Sequence, residues 1–216
     1  MTSQPGLTRH NIAAMIRRSA LASLLVLLLS AANALAAPTT VSILKSSYSP
    51  PSVTVPMGGS VQWKNTTGTK HNVTADSSFL ATMFWPSKTI KAHKTSPAVT
   101  FPDAGTFTYH DSLHVGFKGT VVVPMSSDAV DISLNSTVTL YLGTVPTGTG
   151  GQPVAHYVQA SVNGGATWTT IASTQTNSFS WTPKPAGTWL VETRLRAMLS
   201  GATSGWSPTI TITVEP

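Results

Sequence analysis

Tyr109-His110-Asp111-Ser112-Leu113-His114-Val115-Gly116-Phe117-Lys118-Gly119-Thr120-Val121-Val122-Val123 reads as the end of one strand, a short loop and a second strand. Extended backward, the first strand begins at Thr106. Successive side chains of a strand alternate between its two faces. Phe107, Tyr109 and Asp111 therefore share one face, and His110 points to the other. Phe and Tyr mark the shared face as the core side, which turns Asp111 inward. A carboxylate beside a core is costly unless it is paired, hydrogen-bonded or bound to a metal. Asp111 thus requires a partner.

Outward from this stretch the chain is a run of strands. Val41–Lys45, Ser52–Pro56, Ser60–Lys64, Ala98–Phe101, Thr106–His110 and Lys118–Val123 carry strand patterns. Gly58-Gly59 and Asp103-Ala104-Gly105 are turn signals between them. After Pro124 a second series follows: Asp131–Tyr141, Ala155–Val162, Thr167–Ala172, Ser178–Trp181, Trp189–Met198 and Thr209–Val214. Asn163-Gly164-Gly165 suits a hairpin turn, where positive φ is required. No amphipathic helical stretch interrupts either series. The pattern predicts an all-β protein of two sandwiches. The boundaries it implies are 38–124 for the first domain, 125–128 for a linker and 129–216 for the second. Such a linker implies that the two unfold separately.

Residues 1–37 read as a cleaved signal peptide. Arg9, Arg17 and Arg18 form a basic start, Ala20 to Ala32 an apolar run, and Ala34-Leu35-Ala36 a small-residue cleavage signal. The run falls short of the about 18 residues a membrane span needs. No later stretch has span character, so the mature protein is expected in the periplasm or secreted. The whole chain has 13 Lys and Arg against 7 Asp and Glu. Removing the three leader arginines leaves ten against seven, a net +3. The remaining lysines are scattered, which excludes a nucleic-acid footprint. There is no cysteine, so disulfides and every thiolate-based metal or catalytic site are excluded.

The quoted stretch resembles the metal-binding end of the cupredoxins, the plastocyanin- and azurin-like blue-copper family. The flanking strands and His114 are kept. Asp111 stands where the family has its copper-ligand cysteine, and Phe117 where it has its axial methionine. Lys70-His71-Asn72-Val73-Thr74 resembles the segment that carries the family's first histidine ligand, and Tyr48 to Gly58 its second-strand entry. The resemblance implies a Greek-key cupredoxin sandwich with His71, Asp111 and His114 as metal ligands. Two imidazoles and a carboxylate suit Cu(II), with Zn(II) as the alternative. His110 is a surface histidine on the parity argument, or a third imidazole if the loop shifts. Residues 129–216 resemble a fibronectin type III-like, Ig-like sandwich through Pro185 to Trp189, Glu192 to Ala197 and Ser204 to Pro208.

The resemblance implies copper binding with electron transfer, slowed by the missing thiolate, or a copper-holding role. The partner would be a metal ion and a redox or cell-surface protein. The competing reading is a metal-free β-sandwich for adhesion or partner binding at the cell surface. No acid or base is placed to assist a metal-bound water, so an enzyme is not expected.

Overall fold

Alternating apolar and polar side chains set the chain into short strands, and Gly, Pro, Asn and Ser end them. The computed structural model describes residues 37–77, 80, 88–144 and 153–216. Apart from residue 37, the expected signal peptide lies outside the described residues. Among those described, no helix is long and apolar enough to cross a membrane.

Among the described residues, nine strands build the first sandwich: β1 (Thr39–Ile43), β2 (Tyr48–Ser49), β3 (Ser52–Thr54), β4 (Gly59–Asn65), β5 (His71–Ala75), β6 (Lys88–Ile90), β7 (Val99–Phe101), β8 (Gly105–His110) and β9 (Lys118–Val123). One sheet runs β2-β1-β4-β7 and the other β3-β9-β8-β5-β6. β1 pairs parallel with β4 and β3 with β9, whereas β8 and β9 form an antiparallel pair from Gly105↔Val123 to His110↔Lys118. Trp63, Tyr48, Tyr109, Phe101 and Phe107 fill the space between the sheets and are almost wholly buried. Burying a side chain of this size stabilises by roughly 1.5–3 kcal/mol. Tyr109 lies against the bare backbone of Gly119, its cross-strand partner. A Cβ at 119 would fall 2.2 Å from the Tyr109 ring, so only glycine fits there.

Eight more strands follow among the described residues: β10 (Ser126–Ser127), β11 (Asp131–Ser133), β12 (Val138–Tyr141), β13 (Val154–Ser161), β14 (Thr169–Thr174), β15 (Ser178–Trp181), β16 (Gly187–Ala197) and β17 (Ile210–Glu215). They form sheets ordered β10-β12-β15 and β11-β17-β16-β13-β14 around a second core. The run Asp131–Tyr141, read as one strand, is two. Asn135 between them has φ +69°, a conformation that breaks an extended strand. Ser126–Ser127, in the stretch read as a linker, pairs with β12, and Met125 is buried in the second core.

The two cores meet directly. Val154 and Leu195, from β13 and β16, pack into the first core. Thr106 and Gly205 exchange two backbone hydrogen bonds, at 3.1 and 2.9 Å, and the Thr106 hydroxyl donates to the Trp206 carbonyl at 2.6 Å. Gly143 sits against Pro102 and Asp103 at φ +117°, where a Cβ would lie 2.4 Å from the Pro102 carbonyl. Beside this contact, Asp103 Oδ1 faces His156 Nε2 at 3.5 Å, with both side chains fully buried. Burial pushes the Asp103 carboxyl above the usual carboxylate range, and His156 offsets only part of that.

Candidate metal centre

The site forms at the end of the β3-β9-β8-β5-β6 sheet remote from the second sandwich. β5 pairs antiparallel with β8, with Thr74 opposite His110. His71 opens β5, and Asp111 follows the last residue of β8, so the two arrive at the same edge from opposite directions. Where the backbone ladder stops, side chains replace it. Asn72 Nδ2 donates to Ser112 Oγ at 2.7 Å, and Asn72 Oδ1 accepts from the Ser112 N–H at 2.8 Å.

The alternation along β8 places Phe107, Tyr109 and Asp111 inside and leaves Thr108 exposed. Asp111 is 3% exposed. Its Oδ2 meets His71 Nδ1 at 2.6 Å and His114 Nδ1 at 3.0 Å. Its Oδ1 accepts from the backbone N–H of Leu113 at 2.9 Å and of Asn72 at 3.3 Å. The Leu113 bond closes a turn over the carboxylate, a common use of Asp at a strand end. Burial alone would raise the Asp111 carboxyl. The donors from Leu113, His71, His114 and Asn72 outweigh it and hold the carboxyl below its usual range. A carboxylate with four donors is satisfied in the charged form.

The two imidazoles stack at 4.2 Å between ring centres. His71 is buried, whereas the His114 side chain is about a third exposed, at 36%. One ligand atom from each of His71, Asp111 and His114 lies within 4.8 Å of the others. The structure thus brings together all three residues predicted from sequence. His110 does not join them. It points to the outer face, where its Nδ1 meets Asp76 Oδ1 at 2.5 Å.

Phe117 lies on the core side of the imidazoles, its ring centre 5.2 Å from His71 and 5.9 Å from His114. It is 5% exposed and packs edge-on against Tyr48 at 5.5 Å. It closes the site to water from the interior and offers no donor atom. Tyr48 Oη donates to the Asn72 carbonyl at 2.8 Å, tying β2 to the His71 segment. Burial, followed by the charge of Asp111, raises the Tyr48 phenol far above its usual range, so it stays protonated.

Sequence reasoning missed two contributors. Asn65, fully buried, holds the loop before β5, and Thr69 in that loop reaches His71 Nε2 at 3.3 Å. Asn65-Thr66-Thr67 reads as a glycosylation sequon, yet burial removes Asn65 from reach.

A search of curated proteins returns no match. Among solved structures, an oxidized mutant of amicyanin is 30% identical over 40% of this chain and 81% of that chain, with a TM-score of 0.35. A Cu(I) form of another amicyanin mutant gives the same four values. Amicyanin from Paracoccus versutus is 26% identical over 42% of this chain and 85% of that one, with a TM-score of 0.36. Residues 18–123 match the family model described as a cupredoxin-like domain, so the first sandwich is a cupredoxin-like domain.

Proposed function

We propose that this protein holds a divalent metal ion, copper before zinc, on His71, Asp111 and His114, and serves as a copper-holding protein or slow electron carrier. The observation that carries the reading is the convergence of two Nδ1 atoms on one carboxylate oxygen, at 2.6 and 3.0 Å. Two imidazoles and a carboxylate are a donor set for Cu(II) or Zn(II). The residues present therefore fit the ion that the family suggests. A copper ion bound there would supply a one-electron couple biased toward Cu(II), because neither thiolate nor thioether is present to favour Cu(I).

The chain's own residues have distinct parts in this. Asp111 supplies the negative charge and is kept ionised by its donors. His71 gives a rigid, buried imidazole, and His114 one with an edge open to solvent. Phe117 keeps water from the core side. The Asn72–Ser112 pair holds the loop that carries Asp111 and His114 against β5. An exported protein of two domains, 38–124 and a fibronectin type III-like 129–216, fits the leader-like start and the two cores. Its partner in this reading is a redox or cell-surface protein, in the periplasm or outside the cell, and the protein is not an enzyme.

One observation favours the metal-free alternative. Asp111 already accepts four hydrogen bonds, so the cluster is satisfied without an ion. In that case the protein is an adhesion or partner-binding module. Elemental analysis of the purified protein, followed by calorimetric titration with Cu(II) and Zn(II), separates the two. One equivalent bound with micromolar or tighter affinity supports the metal centre. No binding leaves the scaffold.

A further inference from the structure

His71 is held at both ring nitrogens. Nδ1 faces Asp111 Oδ2 at 2.6 Å, and Nε2 faces the Thr69 hydroxyl at 3.3 Å. The loop that presents Thr69 is itself fastened by one buried amide. Asn65 Nδ2 donates to the carbonyls of Thr69 at 2.7 Å, Ile90 at 3.1 Å and Lys91 at 3.1 Å. Asn65 Oδ1 accepts from the Thr67 N–H at 2.9 Å and from the Thr67 hydroxyl at 2.8 Å. The Thr67 and Thr69 hydroxyls are 3.3 Å apart. The loop is therefore built around Asn65, and the Thr69 hydroxyl is set against His71 by that construction.

The chemical type of this partner matters. An ionised carboxylate only accepts hydrogen bonds. In the structure described here the neutral His71 ring therefore carries its proton on Nδ1, and Nε2 is the acceptor. A ring that binds a metal through Nδ1 has the reverse arrangement, with its proton on Nε2. A backbone carbonyl could serve only the second state and a backbone N–H only the first. A hydroxyl both donates and accepts, and it needs only to rotate.

We propose that Thr69, set in place by Asn65, is a positioning residue for His71 that keeps a hydrogen bond to Nε2 in both the metal-free and the metal-bound state. The proposal rests on the metal centre put forward above. Its proton balance is closed: the neutral ring gives up the proton on Nδ1 and takes one on Nε2, so His71 makes no net contribution to proton release. The ring keeps its orientation throughout, and Nδ1 stays aimed at the space shared with Asp111 and His114. Outer partners that orient a metal-binding imidazole in this way commonly change affinity by about 10–100-fold when removed.

The test uses the full-length mature protein with zinc, which has no redox chemistry to complicate the reading. Thr69→Val keeps the shape and loses the hydroxyl, and Thr69→Ser keeps the hydroxyl. Thr69 is exposed, so both variants are expected to fold. Calorimetric titration should show zinc affinity lowered about 10–100-fold in Thr69→Val and restored to within a few-fold in Thr69→Ser. Long-range 1H–15N spectra should show the His71 proton on Nδ1 in the metal-free wild type and on Nε2 once zinc is bound. Wild-type affinity and an unchanged His71 spectrum in Thr69→Val would overturn the role of Thr69 while leaving the metal centre standing. Failure of the wild type itself to bind zinc or copper would instead remove the metal centre, and this proposal with it.

Discussion

Asn72 and Ser112 exchange two hydrogen bonds, at 2.7 and 2.8 Å, two residues beyond the point where the backbone pairing of β5 and β8 ends. The pair continues the ladder with side chains and fixes the distance between His71 and the loop that follows Asp111. Asn72→Ala removes both bonds and leaves the Ser112 N–H without its acceptor. Both bonds are part-buried and Ser112 itself is exposed, so each is worth about 0.5–1.5 kcal/mol. Ser112→Ala removes only one bond and should cost less. Chemical denaturation of the two variants checks the order.

The metal-loaded protein should lack the intense visible band of a blue-copper site. There is no cysteine, so no sulfur-to-copper charge transfer can occur. Asp111→Cys should introduce such a band, because position 111 is buried with both Nδ1 atoms turned toward it. Alanine at 71, 111 or 114 should each weaken copper binding by tenfold or more. His110→Ala should bind normally, since His110 meets Asp76 on the outer face. Optical spectra and titration calorimetry read both parts. Normal binding by Asp111→Ala, with loss in His110→Ala, would place the ion elsewhere.

Asp103 should make the protein less stable as pH rises. Burial lifts its carboxyl above the usual range, so the folded state holds this proton more tightly than the unfolded chain does. The contribution is complete below the unfolded carboxyl value of about 4 and is lost as pH climbs through the raised folded value. Asp103→Asn cannot ionise and should flatten that part of the profile. Melting temperatures of the two proteins between acid and neutral pH measure the difference. Parallel profiles would mean that Asp103 does not titrate in this range.

The interface should make unfolding cooperative across both sandwiches. Val154 and Leu195 lie in the first core, and the Thr106–Gly205 pair joins the backbones. Calorimetry of the mature protein should show one transition in place of the two that a free linker implies. Gly143→Ala puts a Cβ against the Pro102 carbonyl at an unfavourable φ and should cost about 1–3 kcal/mol. If the interface couples the halves, the whole transition moves down. If it does not, only part of the heat shifts.

Local patterns carried the first sandwich and its three candidate ligands. Alternation along Thr106–Asp111 decided which way Asp111 faces, and that depends only on residues close in sequence. Asn65 and Thr69 were invisible for the opposite reason. A short polar run such as Asn65-Thr-Thr-Gly-Thr69 is indistinguishable from any surface loop until Ile90 and Lys91 are brought beside it. The Asp103–His156 contact likewise joins the turn between β7 and β8 to β13 of the second sandwich, and no periodicity announces it. β10 is too short to show a period, and Asn135 hides a break that only its backbone angle reveals.

β8 has a different neighbour at each end. Near its start Thr106 is bonded to Gly205, and just past its finish Asp111 meets the two imidazoles. Six residue steps separate Gly105 from Asp111, about 20 Å of extended chain. Among the described residues the second sandwich therefore behaves as a bracket and not as a lid. It grips the first from behind and leaves the open edge of His114 facing forward, so whatever comes to that edge does so without passing the other half of the molecule.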